Sequence, residues 1–242
     1  MFRRERHRQV LKLLAAFDAE FLRRSRFLFG GGTRIALDLD EYRESHDIDL
    51  LCSDAEGYAT LRFAASSRGY DPLFLPEARQ GFQLPREMRI DQYGIRFAAE
   101  VDGSLIRVEM VREARIDLDL GTRPDWSPVD CLSISDCYAE KLLANSDRWA
   151  DHQVLSRDVI DLSALRQKIG PVPDAVWRKV EPAYKSAVRN DLIKALTAFL
   201  ADLPYQQRCA EGLRLDDPAD LQAGMKDLLQ DLGQQEKGDP TW

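Results

Sequence analysis

The sequence predicts an α+β fold, a mixed sheet with flanking helices followed by a C-terminal helical region. Three observations predict it. Strand-type and helix-type runs alternate from residue 27 to 120, an Asp-Gly turn between two apolar-alternating runs marks a hairpin, and beyond the prolines at 124 and 128 the apolar residues recur only at helical spacing. With 242 residues and 44% hydrophobic content the chain can bury a sizeable core, as one domain or two small ones.

Taken in order, the opening segment places Val10, Leu13, Leu14, Phe17 and Phe21 on one face of a helix. Residues 1–26 carry eight basic side chains against three acidic ones, so the opposite face suits either solvent or an RNA backbone. Phe27–Phe29 reads as a short buried strand, Thr33–Leu39 as a helix, Ile48–Leu51 as a strand and Tyr58–Ser67 as a helix, with mainly strands from there to Leu120. Within that stretch, Ile95–Val101 and Ser104–Val111 flank Asp102-Gly103, a two-residue hairpin turn. Pro124 to Pro128, with Trp126 between, interrupts the pattern as a linker, and Gly170-Pro171-Val172-Pro173 separates later helices. The expected division is a domain over 1–125, a helical domain over 126–232 and a polar, mobile tail over 233–242. The last thirty-two residues invert the charge of the start, with eight acids against three bases within a total of −7.

Four features carry chemistry. Gly30-Gly31-Gly32-Thr33 joins a strand to a helix, where backbone N–H groups and the helix dipole favour a polyphosphate and the Thr33 hydroxyl adds a donor. Alone, such a run is equally a tight turn. Asp47-Ile48-Asp49 places two carboxylates on one face of a strand, an arrangement that suits Mg²⁺ with substrate phosphates; alone, it is equally a pair of surface aspartates. Glu109, between Val108 and Met110, puts an acid into a core-like strand, as a third metal ligand or as the partner of Arg107. Lys141 follows the helical stripe Ile134, Tyr138, Leu142, Leu143, either as a point charge for phosphate or as half of a solvated Glu140-Lys141 pair.

Gly-Gly-Gly-Thr, then Arg43-Glu44-Ser45-His46-Asp47-Ile48-Asp49-Leu50, Val108-Glu109, Ala139-Glu140-Lys141-Leu142 and Arg157-Asp158-Val159-Ile160-Asp161-Leu162 follow one another over about residues 25–166. In this order and spacing they resemble the AbiEii/AbiGii abortive-infection nucleotidyltransferase toxins of the polymerase-β-like superfamily. The resemblance implies a polymerase-β-like mixed sheet and an enzyme that moves a nucleoside monophosphate from an NTP to an acceptor hydroxyl, releasing pyrophosphate. It implies Mg²⁺, or Mn²⁺, on Asp47, Asp49 and Glu109, and a nucleotide at Gly31, Gly32, Thr33, Arg43, Ser45, Lys141 and Arg148. Asp158 is the acid of the last motif, with Asp161 as the alternative. The implied acceptor is RNA, a tRNA 3′ end above all, and a toxin of this type has a cognate antitoxin. A small-molecule acceptor, a metal-dependent nuclease using the same acids, and a silent nucleotide-binding module remain the alternatives.

Other chemistries find no support. Cys52, Cys131, Cys137 and Cys209 lack zinc-like pairing, Cys52 and Cys137 sit in apolar-rich runs as small core residues, and structural disulfides are not expected. His7, His46 and His152 lack the helical spacing of a zinc hydrolase, and the glycine run lacks the Gly-Lys-Ser/Thr of a P-loop. No run approaches about eighteen apolar residues and the start has no signal-peptide character, so a cytosolic protein without membrane partners is expected. Ser45 stands two residues before Asp47, so a phosphate there would crowd the acidic pair and is expected to switch such an enzyme off.

Overall fold

The computed structural model describes residues 2–238. Among the described residues the sheet has five strands, in the order β1 (Leu28–Gly30), β2 (Ile48–Cys52), β5 (Ser104–Arg112), β4 (Gly94–Val101) and β3 (Arg89–Ile90). The chain divides into two compact units, one of residues up to 37 with 45–134, the other of residues 38–44 with everything from 135.

The first unit opens with α1 (Glu5–Leu14), whose Val10, Leu13 and Leu14 are fully buried. The long opening helix expected from the sequence is broken in two. Asp18 N–H donates to Leu73 O and Leu75 N–H to Ala16 O, both at 2.9 Å, so this stretch pairs with an extended segment instead of continuing the helix. The Asp18 carboxylate then caps α2 (Ala19–Arg24) by accepting from Phe21 N–H at 2.9 Å.

Strand β1 (Leu28–Gly30) pairs antiparallel with β2 (Ile48–Cys52), and α3 (Gly31–Asp38) connects them on the way to the segment at 38–44. After α4 (Ala55–Arg68) the short β3 (Arg89–Ile90) leads into the hairpin β4 (Gly94–Val101) and β5 (Ser104–Arg112). Asp102 and Gly103 both adopt positive φ, 48° and 77°, which is the two-residue turn that matches strand twist. Because β2 pairs parallel with β5 while β4 and β5 are antiparallel, the sheet is mixed.

Alternation sorts the two faces. Ile48, Leu50, Ile95, Phe97, Ala99, Val101, Ile106, Val108 and Met110 are buried against Leu13, Leu14, Phe17, Leu61 and Phe74. The residues between them, including Asp49, Arg96, Arg107 and Glu109, point the other way.

Two expectations are corrected in this unit. Residues 72–88 and 113–120 are largely irregular, the former interrupted by Pro72, Pro76 and Pro85, which offer no N–H to a ladder. The boundary expected at 125 falls at 134. Phe29 N–H donates to Asp130 O and Leu132 N–H to Phe29 O, both 2.9 Å, and Thr122 pairs with Cys131, so the chain past the prolines still belongs to the sheet.

The second unit is helical: α5 (Ile134–Arg148), α6 (Arg157–Lys168), α7 (Asp174–Tyr184), α8 (Ala187–Ala201), α9 (Leu203–Leu213) and α10 (Pro218–Gly238). Leu142, Leu143, Ile160, Leu162, Leu165, Leu192, Leu196, Met225 and Leu228 form its apolar interior. Arg166 on α6 grips Asp231 on α10 at 2.6 Å. Residues 233–238, expected in a mobile tail, continue α10, whose Leu221, Met225, Leu228 and Leu232 repeat at helical spacing; the rest of that tail lies outside the described residues. Cys52, Cys131, Cys137 and Cys209 are buried and free.

Leu50→Ala is expected to lower stability by about 2–5 kcal/mol in urea unfolding followed by circular dichroism, because it leaves a cavity in the core face. Leu105→Ala, half-exposed on the opposite face of the same sheet, is expected to change it by less than about 0.5 kcal/mol.

Candidate active site

Gly30 pairs with Asp49 across β1 and β2, so the glycine turn begins directly against the acidic strand. Gly31 has φ +69°, and a Cβ there would fall 1.9 Å from Asp49 Oδ2. A side chain is thus excluded both by backbone conformation and by space. Gly31 and Gly32 form the partly exposed start of α3, where first-turn N–H groups have no intrahelical acceptor.

Parallel pairing places Asp49 opposite Glu109, and paired residues share a face. Asp47, one residue before β2, accepts from Arg107 Nε at 3.1 Å and Nη2 at 2.7 Å. Arg96 Nε approaches Glu109 at 4.0 Å. The hydrogen bond from Asp47 chiefly, then the charges of Glu109 and Asp49, raise the Arg107 guanidinium above its ordinary value, so all three carboxylates act on one arginine.

The donor types suit a hard divalent cation, which Asp47, Asp49 and Glu109 would hold. Convergence of three acids on one point, as expected from the sequence, needs a correction. Among the described residues no three carboxylate, imidazole or thiol groups are gathered closely enough to enclose a metal ion, and Asp47 is turned onto Arg107. The alternative posed for Glu109, a pair with Arg107, is not what forms: Arg107 instead makes a bidentate pair with Asp47.

The remaining expected nucleotide contacts are engaged by protein groups. Thr33 is fully buried and its hydroxyl lies 2.8 Å from that of Ser45, so it is not turned toward the open start of α3. In the helical unit, Lys141 does not project beside its apolar stripe but is buried between Asp158 at 2.9 Å and Asp161 at 2.7 Å. Arg43, also buried, donates Nε and Nη2 to Asp161 at 2.6 and 2.9 Å, and Tyr42 donates its hydroxyl to the same carboxylate. Arg148 holds Asp158 through Nε at 2.6 Å and Nη2 at 3.0 Å. Asp158 and Asp161, posed as alternatives by the sequence, both close on Lys141.

Electrostatics explains how five charges survive burial. Burial opposes ionisation of Asp161, but Arg43 and then Lys141 outweigh it and hold the carboxyl below its ordinary 3.8. Asp158 is likewise held well below its ordinary value, burial being overcome by Lys141 and Arg148. Lys141 is pushed down by burial and up by Asp158 and Asp161, with a net rise above 10.5. Three cations face two carboxylates, and Arg148, with its side chain 33% exposed, is the member open to solvent.

His7 is the residue that sequence reasoning missed. It is fully buried, and its Nε2 accepts from Ser45 N–H at 3.1 Å. With the Ser45–Thr33 hydroxyl contact this makes a chain from α1 through the segment before Asp47 to the first turn of α3. The signal was present: His7, Val10 and Leu14 fall on one helical stripe.

A mixed sheet that sets a glycine turn at a helix start against an acidic strand pair defines the protein as a nucleotidyltransferase. The chain belongs to the family described as Nucleotidyl transferase AbiEii toxin, Type IV TA system, whose sequence profile matches residues 12–240. It is a transferase enzyme, the toxin of a type IV toxin–antitoxin system, for which an NTP substrate and an antitoxin partner follow from the family. The match runs through the helices past residue 170, where no motif is legible. The fold is similar to the crystal structure of JHP933 from Helicobacter pylori, at TM-score 0.57 and 13% identity over 98% of this chain and 97% of that one. It is also similar to that of a candidate nucleotidyltransferase from H. pylori, at TM-score 0.53 and 15% identity over 98% and 96%. No curated protein sequence matches the chain. Among the described residues no helix is long and apolar enough to cross a membrane.

Two outcomes are expected from these networks. Because Asp158 and Asp161 have lowered pKa values, their contribution to stability is present at neutral pH and is lost as pH falls below 3.8 and through the lowered values. Asp161→Asn, which leaves Arg43 and Lys141 undercompensated, is expected to cost about 3–5 kcal/mol at pH 7, and the gap to the unaltered protein should close in acid, read by urea unfolding across pH. His7→Leu is expected to lower transfer about ten- to a hundredfold, whereas His7→Gln, which keeps an acceptor at the ε position, should restore most of it, read by steady-state kinetics.

Proposed function

We propose that the enzyme transfers a nucleoside monophosphate from an NTP to a hydroxyl of RNA, with the 3′ end of a tRNA as the acceptor, and thereby blocks translation until its antitoxin intervenes. The observation that carries this reading is the contact of Gly31 with Asp49, since a polyphosphate on the N–H groups of Gly31 and Gly32 would lie beside the acidic strand.

In this reading Asp47, Asp49 and Glu109 would hold a divalent cation, Mg²⁺ or Mn²⁺, which would supply positive charge to the triphosphate and the leaving oxygen when bound. Glu109, 45% exposed, accepts the proton of the attacking hydroxyl. The acceptor oxygen forms a bond to the α-phosphorus, the bond from that phosphorus to the bridging oxygen breaks, and pyrophosphate leaves with the electron pair. Arg107 holds Asp47 at the edge of this acidic group. Arg148 supplies the solvent-facing charge of the Lys141–Asp158 network.

The test is incubation of the purified protein with each α-labelled NTP, Mg²⁺ and total RNA. Labelled RNA of increased length supports the reading; shortened RNA would indicate a nuclease, and label on a small molecule a different acceptor. EDTA is expected to abolish transfer, Mg²⁺ to restore it, and Asp49→Asn and Gly31→Ala each to lower it at least about a hundredfold.

A further inference from the structure

The register of the sheet extends the acidic pair of the site into a row whose outer members, Arg96 and Arg89, take no part in the chemistry described above. Asp49 pairs with Glu109, Glu109 with Arg96, and Arg96 with Arg89, on four successive strands. Paired residues project from the same face, so the row runs from two acids to two arginines over about 14 Å at the usual strand spacing. Its neighbours Ile95 and Phe97 are buried on the opposite face, which fixes the outward direction of Arg96.

We propose that this outer face of β4 and β3 receives the 3′ end of a single-stranded RNA, with Arg96 and Arg89 contacting its phosphates and Tyr93 stacking on a base. The proposal rests on the reading of Asp47, Asp49 and Glu109 as the transfer site and adds where the acceptor lies.

Direction is the first argument. The glycine turn adjoins Asp49 from the β1 side, so an NTP on it occupies the β1–β2 end of the sheet. In-line attack requires the acceptor hydroxyl to come from the other side. On that side the strands are β5, β4 and β3, and their outward cations are Arg107, Arg96 and Arg89.

Charge and shape supply the second. Arg89 is exposed and, among the described residues, has no ion-pair partner, which leaves its guanidinium available to a phosphate. Arg96 is held by Asp91 at 2.9 Å, and Asp91 also accepts from the N–H groups of Tyr93 and Gly94 at 2.8 and 2.9 Å. One aspartate therefore fixes both an arginine and the turn that presents Tyr93, a ring 65% exposed to solvent. Arginine beside an exposed aromatic is the pairing that grips single-stranded nucleic acid through phosphate contact and base stacking. Glu100 also points outward, one row beyond Ala98, and leaves the Arg96–Arg89 end basic. A cationic small acceptor would meet repulsion there.

The experiment uses the full chain in the Asp49→Asn background and a short 5′-fluorescent single-stranded RNA, with anisotropy measured across salt. Arg89→Glu is expected to weaken binding about tenfold and to flatten the salt dependence by about one unit of slope or more. Tyr93→Ala is expected to weaken it about tenfold with the slope unchanged. In the Asp49 chain the same substitutions should raise KM for RNA and leave KM for NTP as it was. Unchanged RNA binding in both variants, or a parallel rise in KM for NTP, would overturn the proposal. Failure of the transfer reading shows separately, as RNA that binds this face but is never extended.

Discussion

The parallel pairing of β2 with β5 is the constraint on which the site depends. Side chains alternate along a strand, so the register that buries Ile48 and Leu50 with Val108 and Met110 also sets Asp49 beside Glu109 on the open face. A slip of one residue would turn both acids into the core and the apolar residues into solvent. Hydrophobic burial, several kcal/mol over these residues, therefore enforces the proximity of like charges that would not otherwise associate. Arg107 from the neighbouring row and Arg96 from the same row offset part of that repulsion.

The helical unit solves the opposite problem. Its acids are enclosed, and each is surrounded by cations: Asp161 by Arg43 and Lys141, Asp158 by Lys141 and Arg148. Lys141 is the shared member. Such a network contributes little net stability compared with apolar packing, but removal of one partner is costly, so it specifies an arrangement more than it strengthens one. On the open face of the sheet, by contrast, the ion pairs are partly solvated and exchangeable.

The sequence was legible wherever local pattern and tertiary structure agree. The hairpin follows from Asp102-Gly103 between alternating runs, and the glycine turn and the two acidic strands follow from residue type and period. It was illegible where a distant partner decides. Nothing near Lys141 says that two aspartates seventeen and twenty residues on will enclose it, and the helical spacing gave its segment but not its surroundings. The break before Asp18 depends on Asp18 N–H donating to Leu73 and Leu75 N–H to Ala16, each across more than fifty residues, and a helical stripe through Phe17 conceals it. His7 was hidden by composition, since the arginines around it advertise a solvated face.

The seven residues at 38–44 lie between α3 and β2 in the chain yet belong to the helical unit, anchored by Tyr42 and Arg43 on Asp161. Neither unit is consequently a continuous piece of polypeptide. During synthesis the loop that separates the glycine turn from its acidic strand emerges more than a hundred residues before the carboxylate that fastens it. The nascent N-terminal part must wait, with its two cationic and phenolic anchors unsatisfied, until α6 has left the ribosome, so the protein is built to become a working enzyme only as a whole.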